Sequence, residues 1–514
     1  MNVLLKRRVT MGDKIQLSAS PLSVIRTVND KLMSYNVEFT EVTGGTFWKA
    51  YTPEQIAGTE KFILNGGFEA VQDYMQVYPP INLYDEKLRY LANEFGPVWV
   101  RVSGTWATKT YYDFEGTTNG IAPEGYQNVL TKEQWIGVLD FVKAINAKLL
   151  ISVANCEGLH SAKEPWNPSQ AEIIFKFSRD YGVPIDAAEF VNEPNMMEVS
   201  GLPNGYSAED YARDQDIFFK WVRENYPGTL CVGPCSTQGN MGDEEKRQGQ
   251  PGSGGIAELM PNVVTTDELM NGTVEALDVY SYHYYNGVSE RLEMVMPTSH
   301  WDFDKVLTEQ YLAVAPNCAV ENAPKRDQYC PNGEMWVTES GDAGGGGDTW
   351  ASTYTDVFRT LNELGGFATV TDGVIFHNTL ASSDYGFLKH GTFDPRPNYF
   401  AVLLWNRIMG TTVYDTKEEV RVGAHVYAHS RKDGKDGVAY LIINNSEVDA
   451  TTVELPKTAD VYKLSAPTLR SATMYLNGKE LVLGANNELP DMSPEVKGAG
   501  ELVLEPATIA FVVM

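Results

Sequence analysis

The chain has 514 residues, 43% hydrophobic and 21% charged, a size at which one small core gives way to two domains. Its 41 basic and 68 acidic residues leave a formal net charge of −27, which works against partnership with nucleic acid or an anionic membrane. No apolar run spans a bilayer, and the opening Met1-Asn2-Val3-Leu4-Leu5-Lys6-Arg7-Arg8 lacks the features of an export signal; the compartment is left open, with the cytoplasm slightly favoured. Five cysteines, odd in number and without zinc-like spacing, rule out a disulfide framework, although Cys318 and Cys330 flank a loop-like segment and are placed to pair. Aromatics at 11% suit sugar rings and cores alike.

In chain order, Lys14-Ile15-Gln16-Leu17-Ser18 alternates and reads as an isolated strand. A second strand covers 34–39, and a Gly-, Pro- and aromatic-rich stretch from Thr43 to Tyr84 is long enough to imply service to a site. A strand–helix alternation follows. Strands are expected at 97–102, 148–153, 187–191, 230–233, 275–282, 335–338 and 373–377. Helices are expected at 86–95, from a Thr131/Gln134 capping box onward, and at 170–181, 208–225, 301–314, 350–364 and 399–409. Gly365-Gly366 reads as the stop of the sixth of these. Eight strands, most followed by a helix, give a (β/α)₈ barrel over residues 25–410. Residues 411–514 carry short strands broken by Gly, Asn, Asp and Pro, the texture of an antiparallel β-sandwich. A strand from residues 10–20 is expected to join that sandwich.

Two short apolar runs end in glutamate: Glu189-Phe190-Val191-Asn192-Glu193-Pro194-Asn195 and Glu334-Met335-Trp336-Val337-Thr338-Glu339-Ser340. Alone, Glu193 reads equally as a helix cap or an arginine partner, and Glu339 as a first-turn glutamate favoured by a helix dipole. Together they end the fourth and seventh strands, which face each other across a barrel mouth where the loop side carries chemistry. Paired carboxylates are the equipment of glycosidases: roughly 5–5.5 Å apart in retaining enzymes and about 6.5–9.5 Å in inverting ones. The run Gly344-Gly345-Gly346-Gly347 after Glu339 exposes backbone N–H groups but lacks the Lys-Ser or Lys-Thr ending of a phosphate loop. No metal constellation stands out, and this chemistry requires no cofactor.

Val191-Asn192-Glu193-Pro194-Asn195, Tyr282-His283-Tyr284-Tyr285-Asn286-Gly287 and Thr338-Glu339-Ser340 with its glycines occur in an order that resembles the heparanases and β-glucuronidases of glycoside hydrolase family 79. Asp384-Tyr385-Gly386-Phe387 and Phe393-Asp394-Pro395-Arg396-Pro397-Asn398-Tyr399 extend the resemblance, which covers roughly residues 30–410. It implies Glu193 as acid/base, Glu339 as nucleophile, Asn192 on the sugar 2-hydroxyl and Tyr284 orienting Glu339; the alternative for Tyr284 is a barrel-packing aromatic. It also implies that Gly345 and Gly346 meet a glucuronate carboxylate with backbone N–H groups, helped by the Tyr385 hydroxyl. Glu38 stands where the family holds ring hydroxyls with an acidic residue, one carbon longer than an Asp there. Like charge from Glu339 and partial burial are expected to keep a proton on Glu193.

The substrate expectation is a glucuronic-acid-containing glycoside, 4-O-methylated or not, cleaved from a chain end. No basic cluster lines the barrel segments, since Lys6-Arg7-Arg8 lies outside them and Lys246-Arg247 follows Asp243-Glu244-Glu245. A sulfated polyanion is therefore a poor ligand. Endo cleavage of heparan- or hyaluronan-type chains, a neutral-sugar relative such as a β-xylosidase, and a non-catalytic carbohydrate-binding protein remain the alternatives.

Overall fold

The computed structural model describes residues 14–18, 22–62, 73–197, 199–237, 263–294 and 296–514; Lys6-Arg7-Arg8 and the Asp243–Arg247 stretch lie outside them. Eight parallel strands close into a barrel: β1 Met33–Glu38, β2 Trp99–Ser103, β3 Lys148–Ser152, β4 Ala187–Glu189, β5 Leu230–Thr237, β6 Val279–Val288, β7 Glu334–Gly344 and β8 Ile375–His377. Each of these eight was legible as an apolar run. Most of the helices also fall where periodicity puts them, including Lys132–Ala144 behind the Thr131/Gln134 capping box and Ala208–Asn225.

Alternation along the strands separates two cores. Inward residues at the floor of the barrel, among them Trp99, Leu150, Val232, Trp336 and Phe376, form a closed apolar plug. Outward residues such as Val100, Val102, Leu149, Tyr280, Tyr282 and Met335 pack on the helices. Above the plug the inward positions turn polar, with Asn36, Arg101, Ser103, Glu189 and His283 all buried.

Strict alternation from Trp336 would send Glu339 outward to the helices. The pairing of β6 with β7 skips Thr338: Tyr282 is opposite Val337, and His283 opposite Glu339. This bulge re-aims one side chain, bringing Glu339 into the lumen. A second register shift lies between Pro234 and Ser236 on β5, around Cys235 with its φ of 58°.

Three local expectations are corrected. Residues 301–314 hold a 3₁₀ turn and the short helix Glu309–Leu312, while the loop-like segment after them is the helix Val314–Tyr329. Pro316 lies in its first turn, where no intrahelical N–H partner is needed, so it does not break the helix. Cys318 and Cys330 form no disulfide; the Cys330 thiol donates to the Leu277 carbonyl at 3.2 Å. The helix Tyr354–Val370 runs straight through Gly365-Gly366. A Cβ on Gly365 would meet the Tyr427 ring at 2.3 Å, and one on Gly366 would meet Pro316 at 2.7 Å. These glycines let neighbours approach the helix rather than ending it.

The accessory sheets form a sandwich laid against the barrel. The larger has nine strands and includes Met409–Tyr414, His425–Arg431, Val438–Asn444, Thr508–Val513 and Ala459–Ser465; the smaller has three. Ile15–Gln16 pairs parallel with Thr451–Leu455 in the smaller sheet. Val24–Thr27 pairs with Met409–Tyr414, so the accessory sheet takes residues that the sequence reading began to assign to the barrel at 25. Val426, Tyr440, Ile442 and Val512 face the small sheet, whereas Tyr427, Leu441, Ile443 and Phe511 belong to the main core with the barrel helices.

Alanine at an open helical glycine stabilises by roughly 0.4–1 kcal/mol. Gly365→Ala is expected to do the reverse, costing about 1–3 kcal/mol in chemical denaturation because its methyl overpacks against Tyr427.

Candidate active site

Glu193 and Glu339 come together at the C-terminal mouth of the barrel. One oxygen from each carboxylate and one ring nitrogen of His283 all lie within 4.8 Å of one another. Nδ1 of His283 is 3.1 Å from Glu193 Oε1 and 3.7 Å from Glu339 Oε2. That separation is the short one, suited to direct attack by one carboxylate rather than to a water held between two.

Glu193 sits just past β4 with φ 46°, an uncommon conformation for a residue bearing a side chain. Its carbonyl is held by the Met196 N–H and the Ser200 hydroxyl. Asn195 accepts from the Thr237 N–H at 2.9 Å, which ties this turn to the end of β5. The strained turn is thus fixed from two sides, and it aims the carboxylate inward.

Glu339 is held from two strands. Arg101 Nη1 on β2 donates to Oε1 at 2.9 Å, and the Tyr285 hydroxyl on β6 donates to Oε2 at 2.8 Å. Burial alone would raise this carboxyl, but His283, Arg101 and the Tyr285 hydrogen bond together hold it below the usual glutamate range. Arg101 also donates through Nε to Glu189 Oε1 at 2.8 Å and through Nη2 to Asn192 Oδ1 at 2.7 Å. Since Arg101 takes the carbonyl end of the Asn192 amide, the NH₂ end is the one left to donate to a ligand. The other oxygen of Glu189 accepts from the Cys235 thiol at 2.8 Å, and the Ser103 hydroxyl adds a bond to the first at 2.8 Å.

Tyr284 is not the residue that reaches Glu339. It follows Tyr280 and Tyr282 on the outward face of β6, where its hydroxyl is buried among the helices with no hydrogen-bond partner. Tyr285, one position on, shares the inward face with His283. The sequence block held both tyrosines side by side, and the two-residue period of the strand decides between them.

Glu38 ends β1 inside the mouth. Burial and the nearby charge of Glu339 push its carboxyl well above the ordinary range, against the opposing pull of Arg101 and of a hydrogen bond from Asn378. Gly104, with φ 100°, leaves room for it: a Cβ there would collide with Glu38 Oε2. Tyr385 is buried after β8, and its hydroxyl, like that of Tyr285, accepts from Asn378.

Gly345, Gly346 and Gly347 all have positive φ, between 82° and 91°. The Gly344 carbonyl accepts from the Ser289 N–H, and the Gly345 carbonyl from Arg291 Nη1 at 3.0 Å and the Ser289 hydroxyl at 3.0 Å. In a trans peptide the following N–H points the opposite way, so the N–H groups of Gly345 and Gly346 face away from Arg291. Arg291 is fully buried, ion-paired to Asp384 at 2.6 Å and stacked 3.7 Å from the Tyr51 ring centroid. It is the clamp on this run.

Arg101, His283, Tyr285, Asn378 and Arg291 were not singled out from sequence. The alternation Trp99-Val100-Arg101-Val102-Ser103 does carry a signal, since polar residues at every second position of a buried strand must face something polar. Nothing around Arg291 marks it. Glu193, His283 and Glu339 also converge closely enough to hold one cation, but the Arg101 guanidinium already supplies positive charge to that cluster.

No family model matches the chain. It is 24% identical to heparanase-like protein 1 of Arabidopsis thaliana over 82% of each chain. It is 25% identical to the baicalin-β-D-glucuronidase of Scutellaria baicalensis, over 84% of this chain and 83% of the relative. The fold matches that of a 4-O-α-L-rhamnosyl-β-D-glucuronidase from Fusarium oxysporum with a TM-score of 0.61 at 12% identity, over 98% of this chain and 100% of that one.

Tyr285→Phe is expected to lower kcat roughly 10- to 100-fold, the worth of one charge-assisted hydrogen bond, while Tyr284→Phe leaves kcat unchanged. A nucleophilic Glu339 would have to be ionised, so its lowered pKa should keep the acidic limb of kcat/KM at low pH, and removing the Tyr285 donor should move that limb to higher pH. The pH–rate profiles of the two variants check both statements. Over most of its length the chain is similar to heparanase-like and β-glucuronidase relatives, and the mouth of its barrel brings together Glu193 and Glu339, the kind of carboxylate pair that a retaining glycoside hydrolase uses.

Proposed function

We propose that the chain is a retaining, exo-acting β-glucuronidase that releases terminal glucuronic acid by double displacement. The observation that carries this reading is the unequal environment of two carboxylates within 4.8 Å. Glu339, held below the usual range by two cationic or donor neighbours and a tyrosine, is suited to attack the anomeric carbon. Glu193 then protonates the leaving oxygen and, in the second half, activates water, which returns the carboxylate pair to its starting state. The amide NH₂ of Asn192 is placed to donate to the sugar 2-hydroxyl beside Glu193.

Support for a uronate rather than a neutral sugar comes from donors that add no negative charge to a site already rich in carboxylates. The Gly345 and Gly346 N–H groups and the Tyr385 hydroxyl fit that need, in the manner of an anion-binding nest. Glu38, pushed well above its ordinary range, adds a group able to meet ring hydroxyls without a full second charge. The hairpin of Gly45–Trp48 with Met75–Tyr78 brings Trp48 against Gly346 and walls that side of the site, which favours a terminal sugar over a threaded polymer.

Turnover of aryl β-glucuronide, its 4-O-methyl ether and aryl β-xyloside, measured side by side, tests the substrate. Glucuronides should lead; a faster xyloside would sink the reading. Proton NMR of the first product should show the β-anomer, and an initial α-anomer would exclude retention. On an oligosaccharide, free glucuronate should appear first, whereas early internal fragments would mark endo action. Glu339→Gln should lower kcat roughly 10⁴-fold or more while substrate still binds.

A further inference from the structure

Asn378 follows directly on β8 and touches both halves of the site. It is buried, and its Nδ2 lies 2.9 Å from the Tyr285 hydroxyl oxygen and 3.2 Å from that of Tyr385. An amide nitrogen offers two hydrogens and no acceptor, while a phenol has a single hydrogen to place. The hydrogen of Tyr285 is committed to the Glu339 carboxylate at 2.8 Å. The Asn378 atom facing Tyr285 must therefore be a donor, which fixes the orientation of the amide on chemical grounds.

That nitrogen shares its two hydrogens among Tyr285, Tyr385 and Glu38 and accepts none, so neither hydroxyl hydrogen can turn back toward Asn378. One is driven onto Glu339. The other, on Tyr385, is left for an acceptor other than Asn378, and Tyr385 lies close enough to Glu38 and Glu339 to feel both charges. The remaining amide oxygen of Asn378 is buried without a protein partner, an expensive arrangement that simple packing does not call for.

We infer that Asn378 is a positioning residue that sets two phenolic hydrogens at once, one onto the nucleophile and one onto the substrate carboxylate. Recognition of the uronate and orientation of Glu339 then share a single amide. The substrate half rests on the glucuronidase reading above, and the nucleophile half does not. The charged and titratable groups around Glu339 are Arg101 from β2, Glu193 after β4, His283 and Tyr285 from β6, Glu38 at the end of β1 and Tyr385 after β8. Asn378 is the neutral link between two of them.

The test is a double-mutant cycle on whichever aryl glycoside the wild type hydrolyses best. Tyr285→Phe and Asn378→Ala should each lower kcat roughly 10- to 100-fold and move the acidic limb of kcat/KM to higher pH. The double variant should be no worse than the poorer single one, because both remove the same device. Asn378→Asp keeps the shape but offers only acceptors, so with a wild-type near-UV spectrum it should move the limb further. Additive losses in the double variant, or an acidic limb that stays in place in both Asn378 variants, would overturn the proposal. Asn378→Ala and Tyr385→Phe should also lower the ratio of glucuronide to xyloside rates by the same factor. An unchanged ratio in Asn378→Ala, while Tyr385→Phe loses it, overturns the substrate half alone; a wild type with no preference for glucuronide overturns the reading on which that half stands.

Discussion

Arg101 lies fully buried in the barrel lumen beside buried Glu38, Glu189, Glu193 and Glu339, and the chemistry at the mouth depends on how its charge is shared. A buried cation is costly unless its hydrogens are matched, and here they meet Glu189, Glu339 and Asn192. Losing one partner of such a cluster strands a charge, at a cost of about 3–5 kcal/mol. A lysine has the charge but not the planar fork that reaches three partners at once. Glu189 is further satisfied by the Cys235 thiol and the Ser103 hydroxyl, and it holds Arg101 in place. Glu339 is thereby kept ionised in a setting that would otherwise neutralise it.

The same lumen divides by height. Trp99, Trp336 and Phe376 close its floor with apolar bulk, so field lines from the carboxylates above are not dissipated through water below. The two bulges on β5 and β7 occur at the boundary between these layers. Below them the strands obey alternation and fill a core. Above them the phase is reset, and Glu339 enters a face that alternation had reserved for its neighbours. Strand regularity has been given up at the level where side chains must be aimed.

Apolar runs of four to six residues made all eight barrel strands readable, and motif order made Glu193 and Glu339 readable as a pair. What could not be read was which way a given residue faces once a strand carries a bulge. Tyr284 and Tyr285 illustrate this: both occur in one motif, and only the pairing register shows that the second faces Glu339. Gly365-Gly366 misled for a related reason, since a glycine that ends a helix and one that admits Tyr427 look alike without the partner. The segment between Cys318 and Cys330 read as a loop, yet it belongs to a helix that carries Pro324 in its interior. Arg101 was visible in principle through its alternating strand, whereas Arg291 acts on glycine carbonyls more than fifty residues away in sequence, a relation no local pattern encodes.

The accessory sandwich is completed by chain from opposite ends. Ile15–Gln16 and Val24–Thr27, made before the barrel, pair with Thr451–Leu455 and Met409–Tyr414, made after it. The barrel is the excursion between them. During synthesis those early strands have no partner until some four hundred residues have followed, and contacts of that span form late because the intervening loop must close first. Since Leu441, Ile443 and Phe511 share a core with the barrel helices, these later strands also seal the outer wall of the barrel. Docking of these sandwich strands, rather than completion of the eighth barrel strand, is therefore the step at which the barrel gains its finished outer core.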